Sequence, residues 1–154
     1  MKNAKVYINT QSVDSEEVFG VHFTDASITA LMTPAPKKPY ISNKSSLLAG
    51  KQVLPVAPKT DERDIQLTFG LHASSLAQFL MRYFAICREL EKGFIKLIVH
   101  IYEGNTWMKI AYQLDYLSCQ QYTEFNGRLA KFVIKFNEPD PTNRTVVTSN
   151  DIIL

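Results

Sequence analysis

Residues able to do chemistry are few in this chain and widely scattered. His22, His72 and His100 share no i, i+4 spacing and have no cysteine cluster beside them. A zinc site needs ligands at a recognisable spacing, and none is written here. Asp61, Glu62 and Asp64 form the one acidic cluster. Carboxylates so placed can ligate a divalent cation, but a solvated approach to a strand is the commoner meaning. Ser45-Ser46 and Ser74-Ser75 carry hydroxyls with no base near them in sequence. Gly-x-Ser-x-Gly, Gly-x-Gly-x-x-Gly and phosphate-loop patterns are absent. Cys87 and Cys119 fall in different expected elements, and two buried free thiols are expected rather than a disulfide. The inventory predicts no catalytic centre, no cofactor and no metal.

Two groups of residues remain that bear on partners. Lys96, Lys109, Lys131 and Lys135 fall opposite the core positions of their strands. If those strands are neighbours, they make a basic stripe, either an ordinary solvated sheet face or a surface lining a channel for DNA. Residues 33–62 hold Pro34, Pro36, Pro39, Pro55 and Pro58 with Lys37, Lys38, Lys44, Lys51 and Lys59 among them. Proline fixes φ and donates to no ladder, so this stretch reads as an extended arm or long loop. Loops of that length are usually functional or disordered. Pro34, Pro36, Lys37, Lys38, Pro39 and Tyr40 are its candidate subunit-contact residues.

The elements that must position these groups follow from periodicity. Residues 5–9 and 18–23 alternate as strands, and 28–32 do so more weakly. A short strand or turn is expected over 47–54, with Gly50 at the bend. Ile65, Leu67, Phe69 and Leu71 share one face of a half-buried strand. Ser75 with Gln78 makes a capping box. Leu76, Phe79, Leu80, Tyr83, Phe84, Cys87 and Leu90 then form one apolar stripe, and Gly93 supplies a left-handed stop. The expected helix spans about 76–92 and lies against a sheet. Alternation resumes over 94–102, 107–116 and 130–136, with turns at Glu103-Gly104-Asn105-Thr106 and Asn126-Gly127. Asn137-Glu138-Pro139-Asp140-Pro141 ends the last strand, and 145–154 reads as a loose tail. The fold class expected is α+β: a mainly antiparallel, β-sandwich-like domain over residues 1–144 with one long helix and the Pro/Lys-rich arm.

Bulk properties bound the partners. The 154 residues carry 17 Lys/Arg and 15 Asp/Glu, a formal net charge of +2. The charge is spread evenly along the chain, so a strong electrostatic nucleic-acid footprint is absent. No apolar run approaches the ~20 residues that span a bilayer. The first residues contain no signal-peptide apolar segment, so the chain is expected to stay in the cytoplasm where it is made.

One sequence order resembles a known family. Met32-Thr33-Pro34-Ala35-Pro36-Lys37-Lys38 leads to Leu48-Ala49-Gly50-Lys51. Next come the strand Glu62-Arg63-Asp64-Ile65-Gln66-Leu67-Thr68-Phe69 and the helix Ser74-Ser75-Leu76-Ala77-Gln78-Phe79-Leu80-Met81-Arg82-Tyr83-Phe84, followed by Leu90-Glu91-Lys92-Gly93. The order closes on Ala130-Lys131-Phe132-Val133-Ile134-Lys135-Phe136-Asn137-Glu138-Pro139-Asp140-Pro141. Over roughly residues 5–144 this resembles the N-terminal, ring-forming domain of distal tail proteins from long-tailed phages and prophages. The resemblance lies in the order of elements and a degenerate pattern, with the Glu-Pro-Asp-Pro stop its most telling piece. It implies a β-sandwich-like fold with a helix, related to tail-tube proteins. It implies a hexameric ring, located in the virion tail, between the tail tube and the baseplate hub or host-recognition apparatus. DNA would pass only transiently through the lumen, with no membrane contact and no catalytic residues to carry over. Two alternatives stay open: another component of the tail-tube lineage, such as a tube subunit or baseplate adaptor, and a small ligand-binding module or enzyme whose site forms only in space.

Overall fold

The computed structural model describes residues 4–9, 13–39, 42–44, 51–53 and 58–150. In chain order the elements are β1 (Ala4–Ile8), α1 (Ser15–Phe19), β2 (Val21–Phe23), α2 (Asp25–Met32), β3 (Ser42–Lys44), β4 (Lys51–Val53), β5 (Arg63–His72), α3 (Leu76–Glu91), β6 (Phe94–Glu103), β7 (Thr106–Thr123), β8 (Leu129–Glu138) and β9 (Thr145–Thr148). The class is β-rich α+β, and every strand pair is antiparallel.

Strong alternation builds the centre of the sheet. β5 buries Ile65, Leu67, Phe69 and Leu71, and β8 buries Ala130, Phe132, Ile134 and Phe136. The two strands pair from Arg63–Glu138 to His72–Leu129, which sets both apolar faces on one side. β6 and β7 form a hairpin closed by the two residues Gly104-Asn105, with Gly104 at φ +59. At the other end of β7, Asn126 Oδ1 accepts from the amides of Arg128 and Leu129 (both 3.0 Å) and turns the chain into β8. The sheet order is β1-β6-β7-β8-β5-β2, with β9 beside the first half of β7. The two end strands, β1 and β2, line one cleft of about 440 Å³ together, so the sheet curls almost to closure around its core.

Several sequence expectations are corrected. Helices number three among the described residues. Residues 18–23 divide between α1 and β2. Asp14 caps α1 by accepting from the Glu17 amide (2.9 Å), and Gly20 ends it at φ +63. Residues 28–32 are the end of α2, not a strand. Thr24 caps α2, and Ser27 Oγ bonds both the amide (2.7 Å) and carbonyl (2.6 Å) of Thr68, taking over the β5 edge where β2 stops. The expected loose tail contains β9, which pairs with β7 and packs Val146 against the core; residues 151–154 lie outside the described residues. Cys87 and Cys119 form no disulfide, and neither is fully buried as expected: Cys87 is partly buried and Cys119 exposed. Of the stretch expected over 47–54, only residues 51–53 are described, paired as β4 with β3; Gly50 and Tyr40 lie outside.

The helix α3 also corrects the burial expected of it. Its start carries the capping signal: Ser75 Oγ accepts from the Gln78 amide (3.2 Å), while Gln78 Oε1 accepts from the Ser74 amide (2.7 Å). Gly93 follows its end at φ +85. The buried face, however, is centred on Phe79 and Ile86, with Tyr83 and Leu90 partly buried. Leu76, Leu80 and Phe84 lie on the open side, at 53%, 41% and 56% exposure.

Candidate assembly surfaces

The described parts of this stretch, residues 36–39, β3, β4 and residues 58–61, make an antiparallel ribbon between α2 and β5. At its root the Lys38 amide donates to the Lys59 carbonyl (2.9 Å) and the Asp61 amide to the Pro36 carbonyl (2.8 Å), around a bridge between Lys37 and Thr60. Further out, β3 and β4 pair with each other in a sheet of their own. Pro34, Pro36, Lys37, Lys38 and Pro39 are all exposed.

The root is anchored by a buried ionic group that the sequence reading missed. Arg63 is 4% exposed and Glu138 fully buried. Arg63 Nη1 donates to the carbonyls of Leu31 (3.1 Å) and Thr33 (2.5 Å) at the end of α2, where unpaired carbonyls and the helix dipole favour a cation. Arg63 Nη2 lies 2.5 Å from Glu138 Oε2, an ion pair outside hydrogen-bond angles. On its other side Glu138 takes a bidentate pair from Arg144, Nε at 2.6 Å and Nη2 at 2.8 Å, and the carboxylate raises the Arg144 pKa. Arg144 in turn lies 5.1 Å over the Tyr112 ring. One signal was available: Arg63 is in phase with Ile65 and Leu67, and Glu138 with Phe136 and Ile134, so both are charges on the core face of their strands.

The four candidate lysines all lie on the outer sheet face, because their strand neighbours point into the core. None is a cross-strand neighbour of another: Lys96 pairs with Gln113, Lys109 with His100 and Val147, Lys131 with Gly70 and Thr123, and Lys135 with Gln66 and Ser118. Lys135 is 3.6 Å from Asp64, and Lys109 sits 5.4 Å over Trp107. Beside Lys109 the outer face buries His100, whose Nδ1 is 2.7 Å from the Tyr102 hydroxyl and whose Nε2 has no hydrogen-bond partner among the described residues. Burial first, then the charges of Lys109 and Lys5, lower the His100 pKa.

The open side of α3 is apolar. Leu76, Leu80, Met81 and Phe84 are exposed along its first half. The face continues onto the end of β7 and the turn after it: Phe125 packs 5.2 Å from Phe79, and Tyr122 lies 6.1 Å from Tyr83, ring centre to ring centre. Arg82, the one charge between Leu76 and Phe84, turns back to donate to the His72 carbonyl (2.7 Å).

Several of the residues named for catalytic or ligand chemistry are engaged within the fold, and Ser45 and Ser46 lie outside the described residues. The fold brings His22 and His72 together, with ring centres 5.7 Å apart, although sequence spacing separates them. No group of three or more His, Cys, Asp or Glu side chains suited to a metal exists among the described residues. Asp14, Ser15 and His22 share the wall of the β1–β2 cleft, but Ser15 Oγ donates to the Val21 carbonyl (3.2 Å) and Asp14 caps α1. Glu62 and Asp64 accept from Asn137 Nδ2 at 3.2 and 2.9 Å, and that bond leads the lowering of the Asp64 pKa. Among the described residues no helix is long and apolar enough to cross a membrane. No family model, no curated protein and no solved structure matches this chain.

Proposed function

We propose that this chain is a structural subunit of a phage or prophage tail, forming a ring at the tail tip that joins the tail tube to the baseplate or host-recognition apparatus. The observation that carries the reading is the ribbon. A two-stranded hairpin is marginal by itself in water, and β3 and β4 form a separate sheet. The stabilising surface comes from a neighbouring copy, through heterologous contacts that close, six to a ring. In this reading the ribbon is the arm, and Arg63 with Glu138 holds its root in a fixed direction. The antiparallel α+β class and the order β3, β4, β5, α3, β6, β7, β8 support the same resemblance.

The outer sheet face carrying Lys96, Lys109, Lys131 and Lys135 then lines the lumen. Passage of DNA requires weak, non-specific contact, and separated lysines with a net charge of +2 suit that better than a continuous basic groove would. Electron-microscope images of the purified chain mixed with tail-tube protein test the assignment. Rings seated on tube ends support it. Bare tube ends beside free chains reject it, and a ring whose four lysines all point away from the channel rejects the lumen face.

A further inference from the structure

We propose that the apolar face made by the first half of α3 and the turn after β7 is a docking site for a second copy of this chain, α3 against α3 about a twofold axis. Leu76, Leu80, Met81 and Phe84 are 41–72% exposed, and Tyr122 and Phe125 are 44% and 51% exposed. Six side chains about half open, at about 200 Å² each, present on the order of 600 Å² of apolar surface. The largest patch on a typical monomer is about 300–600 Å², so this one stands at the upper end. A standard interface takes about 800 Å² from each partner, and about 65% of it is apolar in homodimers. The patch therefore supplies the apolar area that a stable pair needs.

Its chemistry selects the occupant. Between Leu76 and Phe84 no charge faces outward, because Arg82 is bound to the His72 carbonyl. Exposed charges stand at its rim, Arg88 one turn beyond Phe84 and Glu124 and Arg128 beside Phe125, as in an interface with an apolar centre and a polar rim. The other exposed large apolar side chains among the described residues, Val13, Val18, Met32, Phe94, Leu117 and Leu129, are spread over other elements in ones and twos. The best match to the patch on the described part of the chain is the patch itself, and a surface that meets itself gives an isologous pair. The contact does not involve the ribbon and does not rest on the ring: it joins two copies, or two rings, face to face.

Sedimentation of the full chain measures the pairing. Leu80→Glu with Phe84→Glu weakens it about 30-fold or more, and the particle mass falls by half. Circular dichroism checks the fold; should the double variant fail to fold, Met81→Lys at the most exposed position gives the same loss. Leu80→Cys or Phe84→Cys, in a chain with Cys87→Ser and Cys119→Ser, then links two copies by a disulfide. A wild-type mass that the folded variants leave unchanged overturns the proposal. A halved mass with neither cysteine cross-linking overturns the face-to-face arrangement. Deleting residues 37–43 leaves the pairing intact, so loss of the ring and loss of the pair read out separately.

Discussion

At the scale of single residues, the fold depends most on charges placed where apolar groups are the rule. Glu138 is buried between the buried Arg63 and the partly exposed Arg144, so Glu138→Ala leaves the Arg63 guanidinium in the interior without its carboxylate. The expected cost is roughly 3–5 kcal/mol, read as a lower urea midpoint with an unchanged slope. His100 adds a pH dependence. Its folded pKa lies below the ordinary value of 6.5, so as pH falls through about 6.5 the unfolded chain takes up the proton first. Stability is therefore full above that pH and is lost as pH drops toward the folded pKa. Denaturation midpoints followed downward from neutral pH should show this loss, and His100→Gln should flatten it. The phase of Arg63 and Glu138 marked both as charges on a core face, but neither their pairing nor the burial of His100 was legible in the sequence. Arg63 and Glu138 are 75 positions apart, and only the antiparallel register makes them neighbours. His100 was one of three scattered histidines until β1, β6 and β7 came together around it.

Elements were legible in proportion to their length and their signals. The β5, β6 and β8 alternations and the Gly104 and Gly127 turns could be read directly, because a half-buried strand has a period of two and a tight turn needs a positive φ. The short helices could not. α1 has five residues and α2 eight, too few for a periodicity to stand out, although Asp14, Thr24 and Gly20 marked their ends. For α3 the capping residues were clear, but the buried face was not. Apolar residues occupy both sides of its first half, so composition could not say whether Phe79 and Ile86 or Leu76, Leu80 and Phe84 point inward. This difference predicts contrasting substitutions. Phe79→Ala should cost roughly 3–5 kcal/mol, whereas Leu80→Ala, at an open position, should stay within about 1 kcal/mol. Thermal melts of the two variants decide it, and equal losses would mean that α3 is rotated from the orientation described.

At the scale of the whole molecule, the sheet satisfies its own core, the open side of α3 stays exposed, and β3 and β4 pair with each other in a separate sheet. The proposed assembly is argued from those two features. Deleting residues 37–43 should leave the melting transition of the sheet nearly unchanged, since the core lies elsewhere, but should lower the assembly state. A deletion that unfolds the chain outright would show the ribbon to be part of the fold rather than a contact between copies. The most direct measurement is the mass of the intact chain in solution across concentration and salt. The account predicts a closed particle of six copies, or of twelve where two rings meet through α3. A single-chain mass at every concentration and salt, with and without tail proteins present, would contradict it.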